Sequence, residues 1–159
     1  MSSTTAARPA FGLPGRIQAP NSRPRSIALV GLGEGGAAVA KGLAPADLGV
    51  ANVKVFASPR PVAEDALATI KSNGEDLQRA LGGADMIFVV ARRGDDAGLA
   101  AVVARIARER NVQVTAVYIV PEGAAGPDRA LEALRAVAHM LVVASDESYV
   151  AAMVAALGA

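Results

Sequence analysis

Four glycines fall within six residues in the stretch IALVGLGEGGAAVAKGL, from Ile27 to Leu43. An apolar run precedes them and small residues follow, which predicts a strand, a tight turn and a helix. Gly31, Gly33 and Gly36 match the spacing G-x-G-x-x-G. Because glycine lets a phosphate approach the free N–H groups of a helix N-terminus, the turn could bind a nucleotide. The alternative is that the glycines serve only tight packing between strand and helix.

A dinucleotide-binding turn of this kind also needs an acidic residue about 20 residues further on, where it holds the ribose. The chain has Ala57-Ser58-Pro59-Arg60 at that place, without a carboxylate. Ser58 and Arg60 would suit the additional phosphate of NADP, so an NADP-binding module remains an alternative. The competing interpretation of Arg60 is an ordinary surface arginine.

Charged residues follow a later apolar run, in the segment RRGDDAG from Arg92 to Gly98. The two arginines, Arg92 and Arg93, could grip a phosphate or a carboxylate. Asp95 or Asp96 could hold a magnesium ion or cap the following helix, and we favour Asp96 as the cap. A small enzyme that uses these charges together with Glu122 is a further alternative.

Composition excludes several classes of site. The chain of 159 residues has no cysteine and one histidine, which rules out disulfides, thiolate metal sites and a histidine metal cluster. A formal net charge of +1 gives no reason to expect nucleic-acid binding. No apolar run approaches the roughly 20 residues that span a bilayer. The absence of cysteine fits a cytosolic protein, so we expect a cytoplasmic location. Residues 1–25, rich in Pro, Ser and Arg, predict a flexible arm before one domain at 26–159.

Strand and helix patterns alternate along the remainder of the chain. Apolar runs predict strands at 26–31, 51–58, 84–91, 112–120 and 140–145, and helical patterns lie at 35–43, 62–70, 74–81, 98–110 and 127–138. This alternation predicts an α/β fold, a three-layer doubly wound parallel sheet of the Rossmann-like kind. Ligands of such sheets bind beyond the carboxyl ends of the strands, where segments 31–36, 92–98 and 121–127 should meet.

Five stretches carry a resemblance to a known family: IALVGLGEGGAAVAKGL, LGVANVKVFA, EDLQRALGGADMIFVVA, VVARIARERNVQVTAVYIVP and LEALRAVAHMLVVASD. In order and spacing they resemble the N-terminal nucleotide-binding domain of the FtsZ/tubulin family over most of residues 26–146. The resemblance implies that family's fold and GTP or GDP as a ligand. The nucleotide-binding positions that we expect are Gly31, Leu32, Gly33, Glu34, Gly35, Gly36, Arg92, Arg93, Gly94 and Glu122, of which Arg92, Arg93 and Gly94 stand in place of the family's phosphate-binding loop. Glu122 is included because the family has a matching Glu-Gly pair whose glutamate reaches the ribose.

Departures from the family pattern point away from catalysis. The family's GGGTGTG signature is replaced by RRGDDAG, and the loop that senses the terminal phosphate and the second domain with its acidic loop have no counterpart. Since phosphoryl transfer depends on positioning and charge stabilisation, we expect no self-contained GTP hydrolysis. The function hypothesis is a degenerate domain that binds nucleotide without hydrolysis or serves as a regulatory or scaffold protein.

The C-terminal segment YVAAMVAALGA is apolar on every side. A sheet can cover only one face of such a helix, so it predicts contact with a second copy or a different protein. We therefore expect a homodimer or a hetero-complex. His139 and Tyr118 are interpreted as structural residues, Tyr118 in the core.

Overall fold

The computed structural model describes residues 25–43, 53–58, 77–79, 81–124 and 126–158. The strands are β1 (Ile27–Leu32), β2 (Val53–Ser58), β3 (Met86–Arg92), β4 (Val114–Ile119) and β5 (Met140–Ala144). The helices are α1 (Gly33–Gly42), α2 (Ala100–Arg110), α3 (Arg129–Val137) and α4 (Ser148–Gly158). The predicted helix at 62–70, residues 1–24 of the predicted arm and Arg60 lie outside the described residues.

All five strands pair in parallel in one sheet, in the order β2-β1-β3-β4-β5. The predicted three-layer α/β fold is confirmed. The chain runs outward from β1 to β2 and then returns to place β3 on the other side of β1. The carboxyl ends of β1 and β3 therefore form the switch point of the sheet, which is where ligands of open α/β sheets bind.

Helices cover both faces of the sheet. On one face, Leu29 and Phe88 pack with Val39 of α1 and Val150 of α4. On the other, the core consists of side chains from β1, β3 and β4 together with α2, α3 and the residues around Leu77, namely Val30, Leu77, Leu81, Val89, Val103, Ile106, Ala116, Ala130 and Leu134. Every residue of β1 and β4 is buried, in keeping with their predominantly apolar sequences.

Helices α2 and α4 differ in how many of their side chains are buried. In α2, Val103 and Ile106 are buried while Arg105 and Arg108 are exposed, which confirms the predicted amphipathic helix. In α4, Val150 and Val154 are buried against the sheet, and the other described side chains are half-buried or exposed. The sheet covers one stripe of α4, as expected of a helix that lies on a single layer.

Candidate functional site

Three turns meet at the carboxyl edge of the sheet, as the sequence predicts. The turn from β1 into α1 contacts the segment after β3, where the Gly36 N–H donates to Asp95. The segment after β3 contacts β4 and the turn that follows it, since the Arg93 N–H donates to the Ile119 carbonyl at 2.9 Å. The Arg93 guanidinium donates to the Gly126 carbonyl at 3.2 Å. The segment after β3 is therefore fixed on both sides.

The N-terminus of α1 holds an internal anion, the carboxylate of Asp95. The N–H of Gly35 donates to Oδ1 at 3.1 Å, and the N–H of Gly36 donates to Oδ2 at 2.9 Å. The N–H of Arg92 also donates to Oδ2, at 2.7 Å. These α1 groups are the free N–H donors that a phosphate binds at a helix N-terminus. The turn thus binds a negative charge, and that charge belongs to the chain itself.

The glycines of the turn are required by internal contacts. Gly33 has φ of +78°, and a Cβ there would overlap the Asp95 side chain. A Cβ on Gly35 would lie 2.6 Å from Cδ of Arg92. At Gly31 a Cβ would overlap the Gly36 carbonyl, so β1 and α1 pack through backbone contact. The glycines therefore serve the tight packing that the second interpretation predicts, and they also allow the carboxylate of Asp95 to approach the turn closely.

A second carboxylate, from Asp128, holds the segment after β3 from the opposite side. Its Oδ1 accepts the N–H of Gly94 at 3.0 Å, and its Oδ2 accepts the hydroxyl of Tyr118 at 2.9 Å. Burial raises the pKa of Tyr118, and the hydrogen bond to Asp128 raises it further, whereas Arg93 acts in the opposite direction. Tyr118 is in the core, which confirms its structural interpretation. Sequence reasoning missed Asp128.

The two arginines after β3 contact groups of the chain itself. The Arg92 guanidinium forms an ion pair with Glu147 at 2.6 Å, and both side chains are about half exposed. An exposed pair of this kind stabilises a protein by at most about 1 kcal/mol. Arg93 is bonded to the Gly126 carbonyl, as described above. The two arginines therefore link the segment after β3 to the turns that follow β4 and β5. Arg92 is the more accessible of the two.

The structure shows how α2, α3 and α4 begin. Asp96 does not cap α2, because Leu99 is the N-cap residue and α2 has no side-chain cap; Asp96 Oδ1 instead accepts the N–H of Gly98. The helical pattern predicted from residue 127 begins two residues later, since α3 starts at Arg129. At the start of α4, Asp146 accepts hydrogen bonds from the N–H and the hydroxyl of Ser148. These bonds lower the pKa of Asp146.

The other predicted site residues differ in accessibility. Leu32 is buried in the core, whereas Glu34 in the first turn of α1 and Glu122 after β4 are exposed. Ser58 is buried at the end of β2, in register with Leu32. His139 is structural, since its Nδ1 accepts the Val114 N–H at 3.0 Å.

A groove of about 430 Å³ lies beside the turn that follows β4. It is lined by residues of that turn, of β5 and of the start of α4, chiefly Pro121, Glu122, Val143, Ser145 and Tyr149. The groove is separate from the carboxylate of Asp95, which lies at the switch point between β1 and β3.

No protein-family model matches the chain, and no curated protein matches it. Among the residues that the structure describes, no group of three or more His, Asp or Glu could hold a metal ion. Within the same residues, no helix is long and apolar enough to cross a bilayer. The groups described at the carboxyl edge are backbone N–H donors, the carboxylates of Asp95 and Asp128 that accept them, and the guanidinium groups of the two arginines.

Proposed function

We propose that this chain is a domain of the FtsZ/tubulin type that acts as a regulatory or scaffolding protein-interaction module and does not hydrolyse nucleotide. The observation that carries the proposal is the position of Asp95. Its carboxylate accepts three backbone N–H groups, two of them from the turn that in a nucleotide-binding domain faces a phosphate. The resemblance in sequence supports the choice of family, and the position of Asp95 supports a function other than nucleotide binding.

Asp95 opposes phosphate binding in two ways. A phosphate at α1 would have to displace a charged acceptor, and hydrogen bonds to charged groups are worth about 1.5–3 kcal/mol each. If Asp95 stayed in place, its negative charge would repel the incoming phosphate at short range. Either cost lowers nucleotide affinity relative to the same turn with an uncharged residue at 95.

Hydrolysis has a further requirement, the positioning of an attacking water and of the transferred group. At the described carboxyl edge the Arg92 side chain pairs with Glu147, and Asp95 and Asp128 accept hydrogen bonds from the chain. Because these side chains contact other groups of the chain, we infer that they stabilise the fold and do not act in catalysis. We therefore infer that the domain binds another protein through a surface away from the Asp95 site.

The test is calorimetric titration of the full chain with GTP, GDP, ATP and NADPH, with a parallel assay of phosphate release from GTP. We expect no binding at micromolar concentrations and no turnover. Micromolar affinity for GTP or GDP, lost in the Arg92→Ala/Arg93→Ala double variant, would instead establish a nucleotide-binding module. Preference for NADPH would favour the NADP alternative. Light scattering of the same samples tests the expected homodimer.

A further inference from the structure

The strand β5 forms an edge of the described sheet and exposes apolar side chains. Four large apolar residues of the described chain are markedly exposed: Val55 (38%), Met140 (56%), Val143 (59%) and Tyr149 (52%). Three of them lie on β5 or at the start of α4. The sequence of β5, Met-Leu-Val-Val-Ala, has neither the charges nor the proline that usually protect an edge strand from pairing.

The groove next to this edge combines apolar walls with one charge. Its lining includes Pro121, Val143 and Tyr149, and Glu122 is the single charged residue among the lining residues. Glu122 is exposed, and no ion pair joins it to another described residue. A ligand that fits this groove should be largely apolar and should carry one positive charge.

We propose that an extended segment of a partner protein adds to β5 as a further strand and places an arginine or lysine in this groove. Main-chain hydrogen bonds to an exposed edge supply affinity in such complexes, and pockets for alternate side chains supply specificity. The cation would pair with Glu122, and its stem would lie against Tyr149, whose ring attracts a positive charge. The inference rests on the proposed interaction function and specifies the chemistry of the partner.

Charge argues against a second copy of β5 as the occupant. Residues 140–144 are all apolar, and the next charged residues along the chain are Asp146 and Glu147. A second β5 would leave Glu122 without a cation and would bring further carboxylates to the same edge. An extended apolar segment with one basic residue would cover the apolar side chains of β5 and would pair with Glu122 in the groove.

The experiment uses the isotopically labelled full chain and a synthetic peptide, Val-Thr-Val-Arg-Val-Thr-Val, blocked at both ends. Its matched control has glutamate in place of arginine. We expect the arginine peptide to shift the amide resonances of residues 140–145 and 121–124 and to bind about tenfold more tightly than the glutamate peptide. Glu122→Gln should remove most of this preference, whereas Glu132→Gln, exposed on α3, should leave it unchanged.

Each alternative outcome has a distinct signature. The inference would be overturned by equal affinity for the two peptides, by shifts of other amide resonances, or by no binding. If nucleotides also fail to bind in the calorimetric titration, the proposed function would still stand. Concentration-dependent shifts of β5 amides without peptide would assign the edge to a second copy and overturn the inference. Shifts of the same groove by GTP would contradict the proposed function as well. Val143→Lys, with its fold checked by circular dichroism, should abolish peptide binding.

Discussion

The Asp95 carboxylate lies 2.9 Å from the backbone nitrogen of Gly36, 59 residues earlier in the chain. The contact joins the segment after β3 to the first turn of α1, at the switch point of the sheet. A side chain of the protein therefore takes the position that an anionic ligand takes at the same place in nucleotide-binding sheets.

Replacing Asp95 by asparagine should destabilise the protein. The variant keeps the size of the side chain but loses the charge that strengthens three hydrogen bonds. We expect the free energy of unfolding, measured with urea, to fall by about 1–3 kcal/mol. The control is Asp96→Asn, which affects one exposed hydrogen bond to Gly98 and should cost about 0.5 kcal/mol or less. Equal losses in the two variants would contradict a special role for Asp95.

Removal of the internal anion should make the protein sensitive to external anions. In Asp95→Ala the N–H groups of Gly35 and Gly36 lose their acceptor, and phosphate can supply one. We expect inorganic phosphate to raise the thermal midpoint of this variant, while wild type and Asp96→Ala respond equally and weakly. The comparison is made at matched ionic strength, with chloride in place of phosphate. An identical response of all three proteins would show that Asp95 does not occupy an anion position.

Gly33 and Gly83 form a matched pair for measuring the close approach of Asp95. Their φ angles are +78° and +79°, but a Cβ on Gly33 would overlap Asp95, whereas one on Gly83 meets nothing within 4 Å. Gly83→Ala should cost about 1 kcal/mol through backbone strain alone. Gly33→Ala should cost at least about 1 kcal/mol more, because the alanine displaces Asp95 from the turn.

A double-mutant cycle separates strain from contact at Gly33. In the background of Asp95→Gly the aspartate side chain is absent, so Gly33→Ala should cost no more than Gly83→Ala does in wild type. Unfolding in urea measures all four proteins of the cycle. An undiminished cost of Gly33→Ala in that background would mean that other neighbours of Gly33 resist the substitution.

Tyr118 should make stability fall at alkaline pH. Its pKa in the fold is raised above the ordinary value of 10.0 by burial and by the hydrogen bond to Asp128. The folded state therefore holds this proton more tightly than the unfolded state does. The resulting stabilisation is complete below pH 10.0 and is lost as the pH rises through the raised pKa.

The measurement compares urea unfolding of wild type and Tyr118→Phe from neutral pH to about pH 11. We expect the difference between their free energies of unfolding to shrink as the pH rises. Tyr149→Phe leaves Tyr118 as the one tyrosine, so tyrosinate absorbance then reports its titration directly. A midpoint at or below the ordinary value would contradict the raised pKa.

The sequence by itself determined the succession of strands and helices and the parallel pairing of the strands in one sheet. Apolar runs such as residues 86–91 are continuous, which is typical of a strand covered on both faces, and α2 carries its arginines on the side opposite Val103 and Ile106. The meeting of the three turns followed from the same pattern, because parallel strands end at one edge. The strands and helices depend on residues close together in sequence, and the meeting of the turns follows from the geometry of any parallel sheet.

The tertiary structure decided which groups fill that edge. Nothing in the segment RRGDDAG distinguishes an aspartate that caps its own helix from one that reaches α1, and the choice depends on β3 lying beside β1. Asp128 was missed for the same reason, since its partners Gly94 and Tyr118 belong to other elements. The sequence offered one signal for the contact between Asp95 and α1, namely two aspartates after one strand and a glycine-rich turn after another. Side-chain partners far apart in sequence are set by strand order and register, which local patterns do not encode.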